Sequence, residues 1–251
     1  MNEVQSPAAE SAGLTQMQRL TNTFTAPSKT FEDIKRGNRS WWLPLIVMAL
    51  AGYIFFGVVV QKVGLQQVVE NQIRLNPKSQ ERMDQLTPEQ RANGNRVAVA
   101  ITEGVFAAGP LMGIAGAAVV ALGLWGTINF VFGGRAKYGQ IFAVSYYAWL
   151  PSIVKILLGV VVLYAGMAPE SFNIKNFAPT NLGAFMDPSS TSPALYSLAT
   201  SLDFVAIWMC VLMGMGIATV AGVKRKSGYI AVFGWWALFA LIGAGWAAAF
   251  G

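Results

Sequence analysis

Apolar residues in this chain gather into five long runs, and nearly all the charge lies between them. Residues 40–61, 104–134, 204–223 and 227–251 contain no Asp, Glu, Lys or Arg, and a fifth run, 138–169, is interrupted only by Lys155. Each run reaches or exceeds the roughly 20 residues with which a helix crosses about 30 Å of hydrocarbon. The pattern predicts an all-α polytopic membrane protein: a five-helix bundle with spans at about 40–61, 104–133, 141–167, 200–223 and 229–250.

The polar segments have patterns of their own. Residues 1–13 are rich in Ser, Ala, Gln and Pro and read as a disordered tail. From 14 to 39 the spacing of Leu14, Met17, Leu20 and Phe24, then of Phe31 and Ile34 beyond Pro27, predicts two short helices at the membrane interface. They serve either as a docking surface or as an anchor for the first span. Residues 1–39 lack the apolar core of a signal peptide, so the first span is expected to persist. In 62–103, Asn76-Pro77 and Thr87-Pro88 have the form of a capping residue before a first-turn proline, and Gln90 completes a capping box with Thr87. That segment is expected to be a small helical cap. Residues 168–193 carry four prolines among many Ser, Thr and Asn, and predict an irregular loop over the bundle.

Charge adds orientation. Arg19, Lys29, Lys35, Arg36 and Arg39 precede the first span, Arg135 and Lys137 follow the second, and Lys224, Arg225 and Lys226 follow the fourth. With five spans these segments share one side, so the positive-inside rule predicts a cytoplasmic amino terminus and an external carboxyl terminus in a cell (inner) membrane. The net charge of +6 is spread along the chain beside spans, which argues against a nucleic-acid partner. With 54% hydrophobic and 12% charged residues, the 251-residue chain is expected to be one membrane domain over 40–251.

Candidate chemistry is sparse. There is no histidine, and Cys210 is the sole cysteine, so no disulfide, metal or cofactor is expected. Met209, Met213 and Met215 around Cys210 read as core filling. Aromatic residues near span ends, such as Trp41, Trp42 and Tyr164, suit the two membrane interfaces. Gly109, Gly113, Ala117 and Ala121 form a ladder at four-residue spacing, suited either to packing within the bundle or to self-association. Lys155 lies deep in the third run, where an unpaired charge costs about 2.5 to 3.5 kcal/mol. Counting 1.5 Å per residue from the basic side places Lys155 about 22 Å up and Asp203 about 30 Å up, within reach of a lysine stem. The two are expected to form a buried pair, either a polar site or a structural fastening; the remaining alternative is an interfacial Asp203 capping its helix beside a snorkelling Lys155.

Three segments resemble bacterial Yip-domain (Ypt/Rab-interacting protein) family membrane proteins: TFTAPSKTFEDIKRGNRSWWLPL before the first span, FVFGGRAKYGQIFAVSYYAWLP joining the second and third, and SLDFVAIWMCVLMGMGIATVAG in the fourth. The resemblance covers about residues 20–250. Gly133, Gly134, Tyr138 and Pro151 fit the central signature, and Asp203 and Trp208 the last. It implies a five-span bundle with a cytoplasmic amino terminus. The Asp-Leu-Tyr-Gly-Pro motif of eukaryotic members has no counterpart here, so a Rab-type GTPase partner is not expected. The leading expectation is a non-enzymatic adaptor or accessory factor that binds other membrane proteins, serving a transport or envelope-stress system. The alternative is a transporter, channel or transporter subunit using the polar groups near Lys155 and Asp203.

Overall fold

In the computed structural model, which describes residues 13–250, helices are joined by short connections except over 165–192, a long loop with two 3-10 turns, and no strand occurs among the described residues. The tail expected at 1–13 lies, but for Gly13, outside them. Two short helices, α1 (Gln16–Thr25) and α2 (Pro27–Lys35), precede the first long helix, α3 (Trp42–Lys62). Then come α4 (Leu65–Arg74), α5 (Pro77–Asp84), α6 (Pro88–Ala107) and α7 (Gly109–Gly126), which runs on as a π turn, Thr127–Val131. The third long segment is two helices, α8 (Tyr138–Ala148) and α9 (Ser152–Tyr164); α10 (Pro193–Ser201), α11 (Phe204–Ala221) and α12 (Arg225–Phe250) complete the fold. Five segments are long and apolar enough to cross a membrane: Trp42–Lys62, Gly109–Val131, Tyr138–Tyr164, Phe204–Ala221 and Arg225–Phe250. They form an all-α bundle with a basic end, carrying Arg135, Lys137 and Lys224 to Lys226, and a cap end, formed by α4 to α6 and residues 165–203.

The elements start and stop for local reasons. Asn76 accepts a hydrogen bond from the Ser79 N–H at the head of α5, and Thr87 and Gln90 form a reciprocal capping box at the head of α6. Trp149 to Pro151 interrupt the third segment, because Pro151 has no N–H to give to a continuous helix. The fourth begins at 204 rather than near 200, since Asp203 is extended, at φ −104° and ψ 124°, and caps α11 with its side chain. Gly133 has a left-handed φ of 67°, which an L side chain adopts at a cost, and it ends the second segment.

The main core lies towards the basic end, where Phe31, Ile34, Ile128, Ile141, Tyr147 and Ile217 are fully buried. A smaller cluster under the cap joins Phe55, Val59, Val68, Leu163 and Phe172. Helices α11 and α12 cross at glycines: a Cβ on Gly228 would fall 2.2 Å from the Gly214 carbonyl oxygen. In lipid, where water does not drive apolar helices together, such close backbone approach is a principal source of association.

Helices α1 and α2 are folded into this core instead of resting beside it. Phe31 packs beside Val144 against Gly216, where an added Cβ would lie 2.9 Å from the ring and 2.5 Å from Val144 Cγ1. The protein-facing side of α1 is polar, with Arg19 and Thr23 buried, while Met17 is 64% exposed. The apolar positions divide: Met17 points outward, Leu20 packs against the core and Phe24 meets Trp208, while Arg19 finds hydrogen-bond partners inside.

Candidate functional site

Asp203 stands where the cap-end loop meets the bundle. Extended backbone on either side brings it beside Asn181 in an isolated bridge, and the Phe204 N–H donates to the Thr180 carbonyl at 2.9 Å. Its Oδ1 accepts the N–H groups of Val205 and Ala206 at 2.8 and 3.2 Å, the cap of α11. Its Oδ2 accepts the Thr180 hydroxyl and the Lys155 ammonium, each at 2.7 Å. The Asp203 side chain is 4% exposed and that of Lys155 27%, so the pair sits at the rim of the core.

Lys155 comes from α9, the first turns beyond the Pro151 break. Its ammonium also lies 5.7 Å from the centre of the Phe177 ring. Phe177 reaches this position because residue 159, one turn beyond Lys155, is glycine; a Cβ there would fall 2.5 Å from the ring. Behind Asp203, Asn181 donates to Asn176 at 2.7 Å, and Asn176 donates to the Tyr196 hydroxyl at 3.1 Å. The loop is also held from α4, where the buried Asn71 donates to the carbonyls of Pro169 and Phe172. With both oxygens of Asp203 engaged by four donors, this carboxylate is a fastener between α9, the loop and α11 and not a free base.

The other residues singled out in the sequence fall elsewhere. Gly134 is held tightly, a Cβ there lying 2.9 Å from the Ile128 carbonyl oxygen, and the Asn129 side chain bonds the N–H and carbonyl of Ala136 across the same turn. Tyr138 donates to the Ala118 carbonyl at 3.0 Å. Trp208 meets Phe24 edge to face, with ring centres 5.9 Å apart. The small-residue ladder divides: Ala117 and Ala121 are buried, whereas a Cβ on Gly109 or Gly113 would meet nothing within 4 Å.

A second buried ion pair escaped the sequence reading. Arg19, fully buried, places Nε 3.5 Å from Asp33 Oδ2 and its guanidinium 5.2 Å from the centre of the Tyr147 ring. Its Nη1 donates to the carbonyl of Asn38 at 3.0 Å. Asp33 also accepts the Leu14 N–H and the Asn38 amide, so the pair locks α1, α2 and the approach to α3 together. The available signal was Arg19 placed between Leu14 and Leu20 on a short helix with no acidic neighbour one turn away.

The central turn with the Pro151 break, and the Asp203 cap, are where the second and third sequence signatures become geometry. The Yip1 domain profile matches residues 21–247. The chain belongs to the Yip1-domain family. This Yip1-domain protein is similar to "Membrane protein YknW" of Bacillus subtilis (strain 168), with 28% identity over 232 residues, 90% of each chain. No solved structure matches it.

Proposed function

We propose that this Yip1-domain membrane protein is a non-enzymatic adaptor that holds a second membrane protein against α6, with its basic end cytoplasmic in the cell membrane. The observation that supports this is an exposed apolar pair on α6, outside the spanning segment. Val97 and Ile101 are 51% and 61% exposed. Both lie on the far side of the exposed Glu103 from the spanning segment Gly109–Val131. At 1.5 Å per residue they stand about 18 and 12 Å beyond Gly109. Lipid chains cover apolar side chains only within the hydrocarbon, so water meets these two unless another helix does. A membrane partner whose helix leaves the bilayer alongside α6 would bury them, and its pathway, transport or envelope stress, would define the biological role.

A transporter reading draws less support. Asp203 has each oxygen engaged, and Lys155 is pinned to it, so we assign the pair to fastening the cap-end loop to the bundle. The test is photocrosslinking in native membranes from residues 97 and 101, with residue 85 on the exposed end of α5 as control. The adaptor predicts a discrete protein adduct from 97 and 101 and none from 85. Lipid adducts alone at 97 and 101 would remove the basis for the adaptor.

A further inference from the structure

Two cavities lie one beyond the other along a single face of α6 and α7. The first, about 370 Å³, is an apolar crevice among α3, α7 and the α8–α9 break, walled by Met48, Gly52, Gly109, Gly113, Tyr146 and Trp149. A Cβ on Gly52, Gly109 or Gly113 would meet nothing within 4 Å, so these glycines leave space and do not admit a neighbouring helix. The second, about 460 Å³, lies between α4 and α6 and is lined by Gln66, Asn95, Arg96, Val99 and Glu103. Glu103, on its floor, is three residues from Phe106, which lines the crevice, so the two cavities adjoin at one helical turn. The sill between them is the Phe106 ring stacked on Phe56, with centres 4.5 Å apart.

The second cavity holds both signs of charge and an unmet polar atom. Arg96 and Glu103 are exposed and enter no ion pair among the described residues. Asn95 Oδ1 is buried and accepts no hydrogen bond. A buried carbonyl oxygen is ordinarily given a donor, by the protein, by water or by a ligand. An apolar slot continued by a chamber with a cation and an anion matches the two ends of an amphiphile.

We propose that the two cavities form one lipid site for a phospholipid whose head group carries a primary amine. An acyl chain occupies the crevice, the phosphate pairs with Arg96, and the ammonium donates to Glu103. A head group with a quaternary ammonium has no N–H to donate to Glu103, and an anionic head group without an amine leaves Glu103 facing like charge. Phosphatidylethanolamine is therefore preferred over phosphatidylcholine and phosphatidylglycerol.

The test uses the full-length protein, purified in detergent and delipidated, titrated with each of the three lipids and read by native mass spectrometry and by thermal shift. Wild type retains phosphatidylethanolamine in preference to the other two. Glu103→Gln and Arg96→Gln, both at exposed positions, keep the lipid-free melting temperature and lose about tenfold in that preference, the loss of a charge-assisted contact. Gly113→Leu fills the crevice and lowers retention of all three lipids. Should that variant fail to fold, the two head-group variants carry the test alone. Equal retention of the three lipids by wild type, as for a crevice bathed by bulk lipid, overturns the proposal. So does a phosphatidylethanolamine preference that survives both head-group substitutions.

Discussion

Replacing Asp203 with asparagine removes one charge and little else. The amide oxygen of the Asp203→Asn variant still accepts the N–H groups of Val205 and Ala206, so the α11 cap survives. The atom that replaces Oδ2 becomes an NH₂ group facing two donors, the Lys155 ammonium and the Thr180 hydroxyl, each 2.7 Å away. Removing one partner of a buried ion pair costs about 3 to 5 kcal/mol. The 27% exposure of Lys155 lets water relieve part of that penalty, and we expect the lower end, about 3 kcal/mol. Asp203→Ala also removes the cap, about 1 kcal/mol more. For a chain of this size, about 3 kcal/mol corresponds to a fall in melting temperature of about 6 to 12 °C. Thermal unfolding of the protein in nanodiscs, followed by circular dichroism, reads these shifts. A cycle of Lys155→Met, Asp203→Asn and the double variant isolates the pair, with a coupling of about 2 kcal/mol expected. Single variants that each melt within about 1 °C of wild type, or a coupling near zero, would show that no fastening exists.

Other consequences follow from contacts described above. Gly228→Ala drives a methyl group against the Gly214 carbonyl and should destabilise by about 3 kcal/mol, whereas Gly116→Ala, with nothing within 4 Å, should be neutral; paired denaturation curves separate them. Asp33→Asn leaves the Arg19 charge buried, and the loss of about 3 to 5 kcal/mol should appear first as proteolysis within 14–39. Thr87→Ala should weaken the start of α6 by about 1 kcal/mol, measured by amide exchange over 89–92. The Asp187 carboxyl is held below its usual range by the Ser189 hydroxyl and then the Ser189 N–H. A lowered folded value means that this contribution is present above the ordinary carboxylate pKa and is lost as pH falls through the folded one. The protection of the Ser189 amide, relative to its intrinsic exchange rate at each pH, should therefore fall on acidification, and a flat protection profile would exclude the linkage.

How much could be read beforehand depended on whether the deciding contact was local. Five apolar runs and the Asn76 and Thr87 caps act within a few residues, and each was legible; the Pro151 break was not read, since the third run was expected as one continuous span. Lys155 and Asp203 were nominated for another reason: a charge deep in an apolar run must be answered, and one acid lay about 8 Å higher, within reach of a lysine stem. The Arg19 and Asp33 pair was not, because the turn at Ala26 and Pro27 folds α1 back on α2, and only then does a polar helix face become the inner one. The two uses of the Gly109 to Ala121 ladder were equally hidden, since spacing reports that a backbone can be approached and not whether anything approaches it.

Synthesis runs in one direction, and Lys155 is made 48 residues before the carboxylate that neutralises it. At about 5 to 20 residues per second, the third segment waits about 2 to 10 seconds with its ammonium unanswered. During that interval the nascent chain carries a charge that the lipid resists, so a chain halted before residue 203 is marked as unfinished by chemistry alone. The bundle is thereby given an order of closure: α9 is not fully at rest in the membrane until α11 has begun.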